Sequence, residues 1–76
     1  MDLYSNMSGD SGVYAYDSGS DFITVFFTSG KQYTYTYKSA GTSNVEQMKN
    51  LARAGSGLNS FINKNCKNDY EWGWVF

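Results

Sequence analysis

Bulky apolar residues alternate with small or polar ones along three stretches, Val13 to Asp17, Phe22 to Thr28 and Lys31 to Tyr37. A period of two is that of extended backbone, where successive side chains leave opposite faces. Ser18-Gly19-Ser20 and Ser29-Gly30 divide the stretches with turn chemistry, so the pattern predicts a three-stranded antiparallel meander. In the third strand, Tyr33-Thr34-Tyr35-Thr36-Tyr37 puts three phenols on one side and two threonines on the other.

Turn parity decides which side meets the core. With Gly30 in the left-handed position of a type I turn with a bulge, Phe27 stands across from Lys31, Val25 from Tyr33 and Ile23 from Tyr35. A tight two-residue turn pairs Phe26 with Tyr33 instead. The bulged register is preferred because it gathers Ile23, Val25 and Phe27 with the tyrosines under one cover, phenols at its rim. It leaves Tyr14, Tyr16, Phe22, Thr24, Phe26, Thr34 and Thr36 on the opposite side.

Beyond residue 42 the period lengthens. Ser43-Asn44-Val45-Glu46 has the form of a capping box, and Val45, Met48, Leu51 and Ala52 recur at three and four as one apolar stripe. Gly55 is the expected left-handed stop, and Ser56 the expected cap of a second short helix carrying Leu58, Phe61, Ile62 and Cys66. From Tyr70 to Phe76 rings alternate again, as a fourth strand at a sheet edge or as a docking tail. Residues 1–12 keep neither period and read as a mobile arm, with Leu3, Tyr4 and Met7 as its docking candidates. The expected fold is α+β: a three- to four-stranded antiparallel meander sheet packed on two short helices, with an arm over 1–12, a domain over 13–70 and an aromatic strand or tail over 71–76.

Composition changes this picture at a few points. Seventy-six residues make one domain, with 18% aromatic residues and neither proline nor histidine. That is more ring than a small core needs, and surplus rings gather at interfaces with another subunit, a partner protein or a flat ligand. A net charge of −1 argues against an extended nucleic acid, which calls for a basic surface. The lone Cys66 has no disulfide partner within the chain, and neither a leader peptide nor a bilayer-spanning run is evident; a reducing, cytoplasmic setting is expected.

The absence of histidine removes Ser-His and Cys-His nucleophile systems, and a single cysteine cannot build a zinc site. Asp17 and Asp21 flank the first turn without the oxygen-ligand spacing of a calcium loop, and they read as turn residues. Ala54-Gly55-Ser56-Gly57 precedes a helix but lacks the lysine of a phosphate loop, and reads as the stop between helices. No catalytic residue, metal or cofactor is expected.

Tyr16-Asp17, then Ile23-x-Val25-x-Phe27-x-x-Gly30-x-x-Tyr33-x-Tyr35, then Gly55-x-x-Leu58-Asn59-x-x-Ile62 together resemble the KTSC domain. This small module is named for its place at the C-terminus of some lysyl-tRNA synthetases, and it also occurs as stand-alone bacterial and phage proteins. The resemblance covers Val13 to about Tyr70. It departs at Leu58 and Arg53, where the family has phenylalanine and serine, and in lacking a valine-proline pair after the third strand. The resemblance implies a small α+β fold, a stand-alone protein of a bacterial cell or its phage, and RNA binding as a suggested family role. It also singles out Asn59 as a polar contact, a position that helix capping explains equally well.

The candidate ligand-binding or interface set is therefore Tyr14, Tyr16, Phe22, Phe26, Gln32, Thr34 and Thr36, joined by Arg53, Asn59, Trp72 and Trp74. Rings stack on a base, hydroxyls and the Gln32 amide bond its edge or ribose, and a few cations suffice for one small phosphate. Lys64 and Lys67 also suit the end of the second helix dipole. The expectation is a non-enzymatic homodimer or higher oligomer that captures a small nucleotide-type ligand, with sequestration of a host defence signal as the phage role. A protein-binding inhibitor acting through the aromatic surface and an RNA-binding accessory are the alternatives.

Overall fold

The computed structural model of the chain describes residues 2–5 and 12–75, without the side chains of Trp72, Trp74 and Val75. Residues 6–11 of the expected arm, Met7 among them, lie outside the described residues. The elements in chain order are β1 (Asp2–Leu3), β2 (Val13–Ser18), β3 (Phe22–Phe27), β4 (Lys31–Thr36), α1 (Tyr37–Ala40), α2 (Thr42–Ala54), α3 (Leu58–Asn65) and β5 (Trp72–Val75). The strands form one antiparallel sheet in the order β1-β2-β3-β4-β5. It is the expected α+β meander, enlarged by an N-terminal strand and by the short helix α1.

Register follows the second turn. Ile23 pairs with Tyr35, Thr24 with Thr34 and Val25 with Tyr33. Gly30 has φ +95° and its N–H donates to the Phe27 carbonyl at 3.0 Å, the left-handed position that the bulged turn requires. Alternation then carries Ile23, Val25 and Tyr35 into the core, all at 1% exposure or less. Val45, Met48 and Ala52 of α2, Leu58 and Ile62 of α3, and Cys66 cover them from one side. Gly55 closes α2 in the left-handed conformation, its N–H bonded to the Leu51 and Ala52 carbonyls.

The first strand breaks the expected alternation. Between Val13 and Ala15 the pairing with β3 slips by one residue, a β-bulge, so that Tyr16 pairs with Val25 and joins the core while Tyr14 turns toward Phe26 on the other face. Tyr16, assigned from the sequence to the outer face, is thus a core residue at 9% exposure.

Helix starts also differ from expectation. Thr36 ends β4 and caps α1: its Oγ1 accepts from the Ser39 N–H at 3.0 Å, and Ser39 Oγ accepts from the Thr36 N–H at 3.0 Å. The capping box therefore falls at Thr36–Ser39, and Tyr37 opens a helix where a strand residue was expected. Gly41 caps α2 without a side chain, which frees Glu46 for another task. Glu46 Oε2 accepts from the Tyr37 hydroxyl at 2.5 Å and from Lys49 Nζ at 2.9 Å. These bonds, that from Tyr37 foremost, hold the Glu46 carboxyl below its usual range.

Gly57, not Ser56, precedes α3, and no side chain of its own caps that helix. The acceptor comes from the far end of the chain, where the Tyr4 hydroxyl receives the Leu58 N–H at 3.2 Å. Tyr4 is 5% exposed, and the preceding Asp2–Leu3 pairs with Tyr16 and Ala15. Residues 2–4, expected to be part of a mobile arm, are part of the domain, because a buried helix end needs an acceptor.

Candidate functional site

Helices on one side and none of their buried residues on the other give the sheet two unlike faces. The outer face carries Phe22, Thr24 and Phe26 of β3 beside Thr36, Thr34 and Gln32 of β4, in that pairing. Thr24 and Thr34 are 7% and 4% exposed, with their Oγ1 atoms 2.8 Å apart. Phe22, Phe26, Gln32 and Thr36 are half-buried, and Tyr14 is 45% exposed, its ring centroid 6.4 Å from that of Phe26. Thr36 does not stand free: besides capping α1, its hydroxyl donates to Glu71 Oε1 at 3.1 Å. The backbones of Trp72 and Trp74 pair with Thr34 and Gln32, and their side chains lie outside the described residues.

Arg53 and Asn59 do not join this set. Both lie in the helical layer, where exposed Arg53 donates to Asn50 Oδ1 at 2.6 Å and Asn59 sits half-buried in the first turn of α3. The sheet separates them from the outer face.

A recess opens on the helical side, between the β3–β4 turn and the end of α3, and holds about 280 Å³. Four rings build its wall. Tyr33 lies 4.5 Å from Tyr70 and 5.8 Å from Phe27, centroid to centroid, and Tyr70 meets Tyr35 edge-on at 6.4 Å. Ile62 and the backbone turn at Ser29 complete the floor, and Lys31, Lys67, Asn63 and Asn68 bring two amines and two amides to it. Lys31 and Lys67 are exposed, and the ion pair among the described residues is Lys49–Glu46, which engages neither.

Local sequence explains this placement. Alternation in β4 sends Lys31, Tyr33 and Tyr35 to the same side, and Tyr33 pairs with Gly73 of β5. A Cβ at position 73 would meet Tyr33 Cε1 at 2.7 Å, so only glycine there admits the ring in this pose. Burial, with the fields of Cys66, Tyr33, Tyr70 and Asp69 behind it, raises the Tyr35 phenol well above its usual range and keeps it neutral. Burial and then Asp69 push the Cys66 thiol up to about 11, so it is no ready nucleophile. Asp69 acts through its field and is not among the lining side chains.

None of the cleft residues belongs to the set chosen from the sequence. Tyr33 and Tyr35 were legible as core, but Tyr70, Lys31 and Lys67 meet only because the chain turns back after α3. The signal available was the pair of lysines flanking the ring-rich runs. Among the described residues, no three side chains of His, Cys, Asp or Glu come together to hold a metal ion, and no helix is long and apolar enough to cross a membrane.

Comparison with protein-family models, curated proteins and solved structures gives no match to this chain.

Proposed function

We propose that the chain is a small, non-enzymatic binding protein whose ring-lined cleft takes a flat anion of the nucleotide type. The observation that supports this reading is the cleft's chemistry: Tyr33, Tyr70 and Phe27 offer ring surface, and Lys31 and Lys67 stand beside them with no carboxylate partner among the described residues. Its volume lies near the lower end of ligand sites, which suits one heterocycle with its phosphate at the rim and excludes a long polymer from the recess. Charge moves the ligand from the outer face to this cleft, since Asp21 and Glu71 border the outer threonines.

Thermal shift against purine and pyrimidine monophosphates, their nucleosides and inorganic phosphate tests the reading. A monophosphate at a hundredfold excess over its Kd adds about 2.7 kcal/mol of stability. The expected pattern is a shift by at least one monophosphate, a smaller one by its nucleoside, and loss of the monophosphate shift in Lys31→Glu/Lys67→Glu with an unchanged ligand-free Tm. No shift across the panel, or a shift that survives the double reversal, overturns it. A parallel titration with a single-stranded oligonucleotide over a range of salt separates this reading from the RNA-binding accessory that the KTSC resemblance suggests: a steep salt slope favours RNA.

Self-association through the outer face is the second reading, and a distinct patch favours it. Leu3, 79% exposed, pairs with Ala15 beside Phe26 and the exposed Tyr14, which brings three apolar side chains to one end of that face. Light scattering reads the outcome: a dimer or larger species that Leu3→Glu/Tyr14→Arg turns into a monomer supports it, and a monomeric wild-type chain rejects it.

A further inference from the structure

The outer face holds a recess of about 370 Å³ lined by Asp21, Phe22, Thr24, Thr34 and Thr36. Its chemistry is opposite to that of the cleft. Among the described residues no lysine or arginine lines it, Asp21 is one of the residues that do, and Glu71 is tied to Thr36 through the 3.1 Å hydroxyl contact and to Thr34 through a 2.7 Å bond from its N–H to the Thr34 carbonyl. Lys49 approaches this end of the sheet at the Ser20 carbonyl, but Glu46 already neutralises it.

The floor supplies what the rim does not. Thr24 and Thr34 are more than nine-tenths buried and share one hydrogen bond between them. Two hydroxyls carry two protons and four lone pairs, so one shared bond leaves acceptor capacity on both oxygens. The Phe22 ring lies over Gly19, in space that any side chain at position 19 would need, so its position beside the threonines is built into the turn.

We propose that this recess binds a small aliphatic ammonium ion. The Phe22 ring and the threonine methyl groups receive the alkyl stem, the threonine oxygens accept N–H bonds, and Asp21 and Glu71 balance the charge. An anion is repelled by the same carboxylates, and a neutral alcohol of equal length leaves both of them unpaired. The site stands apart from the nucleotide-type cleft, since Thr34 and Tyr35 leave β4 on opposite faces.

The test is a titration of the ¹⁵N-labelled chain with n-butylammonium, with 1-butanol as the neutral match. Expected are concentration-dependent shifts of the Phe22, Thr24, Thr34 and Thr36 amides with the ammonium, at an affinity at least about tenfold above that for butanol. Asp21→Asn/Glu71→Gln is expected to remove that advantage. Both changes keep the local frame: the structural contact of Asp21 is its backbone carbonyl, which accepts from the Tyr37 N–H at 3.0 Å, and an amide at 71 still accepts from Thr36. Circular dichroism of the double variant confirms the fold. Equal shifts by butanol and butylammonium, shifts confined to the Tyr33–Tyr70 cleft, or an ammonium affinity unchanged in the double variant each overturn the proposal.

Discussion

Tyr4→Phe removes one oxygen atom and tests how the N-terminus is tied to the rest of the chain. In the native protein that oxygen accepts the Leu58 N–H at 3.2 Å, and Leu58 is fully buried. Gly57 offers α3 no side-chain cap, so the donor has no replacement within the helix. A buried donor left without a partner costs about 1–3 kcal/mol, and the phenyl ring that remains still fills its place in the core. The expected loss is about 1–2 kcal/mol, which in a domain of this size lowers Tm by roughly 5–15 °C.

Tyr4→Ala removes the ring as well. Deleting a buried aromatic side chain costs about 3–5 kcal/mol, close to the whole stability of a small domain, so this variant is expected to be largely unfolded. Urea denaturation followed by tryptophan fluorescence measures both, with an unchanged m-value in Tyr4→Phe showing that the unfolding transition still exposes the same surface. If both variants unfold within about 0.3 kcal/mol of the wild type, the N-terminus is a loose arm and the contact with α3 contributes nothing.

Two further perturbations address the cleft and the core. Gly73→Val pushes a side chain into the Tyr33 ring, and it is expected to cost about 1–3 kcal/mol in urea denaturation and to abolish the monophosphate shift, whereas an unaltered shift would show that Tyr33 is not part of the site. The Cys66 thiol is raised in the folded chain from 9.0 to about 11, so its contribution is fully present below pH 9 and is lost as pH rises through 11. Over that window one such thiol gives a slope of up to about 1.4 kcal/mol per pH unit. Stability curves from pH 8 to 11 are expected to fall less steeply for Cys66→Ala than for the wild type, and parallel curves would refute the assignment.

What the sequence makes legible is what local rules decide. The β3–β4 register follows from Gly30, the α2 stripe from its spacing, and the end of α2 from Gly55. Two misplacements share one physical cause, competition between partners for the same groups. Ser43 and Glu46 match a capping box, but the Tyr37 hydroxyl and the Lys49 amine already engage the Glu46 carboxylate. Ser56 is a good cap residue, yet a tyrosine more than fifty positions away takes the role. Tyr16 was misplaced for another reason: a bulge shifts one strand by a residue without any glycine to announce it. Such features depend on contacts between distant parts of the chain, which periodicity does not record.

The net charge hides the same kind of arrangement. A value of −1 suggests a surface with no preference, but the sheet sorts its charges, with Lys31 and Lys67 beside rings on one side and Asp21 and Glu71 beside hydroxyls on the other. Strand β4 contributes to both, since its alternation sends Tyr33 and Tyr35 to the cleft and Thr34 and Thr36 to the outer recess. A slip of one residue in its pairing would exchange the two sets, placing hydroxyls against Ile23 and Val25 and phenols in water. The Gly30 turn and the buried core together forbid that slip. The residues that fix the fold are thus the ones that keep the two recesses chemically distinct, and a substitution that loosens the Gly30 turn is expected to blur both at once.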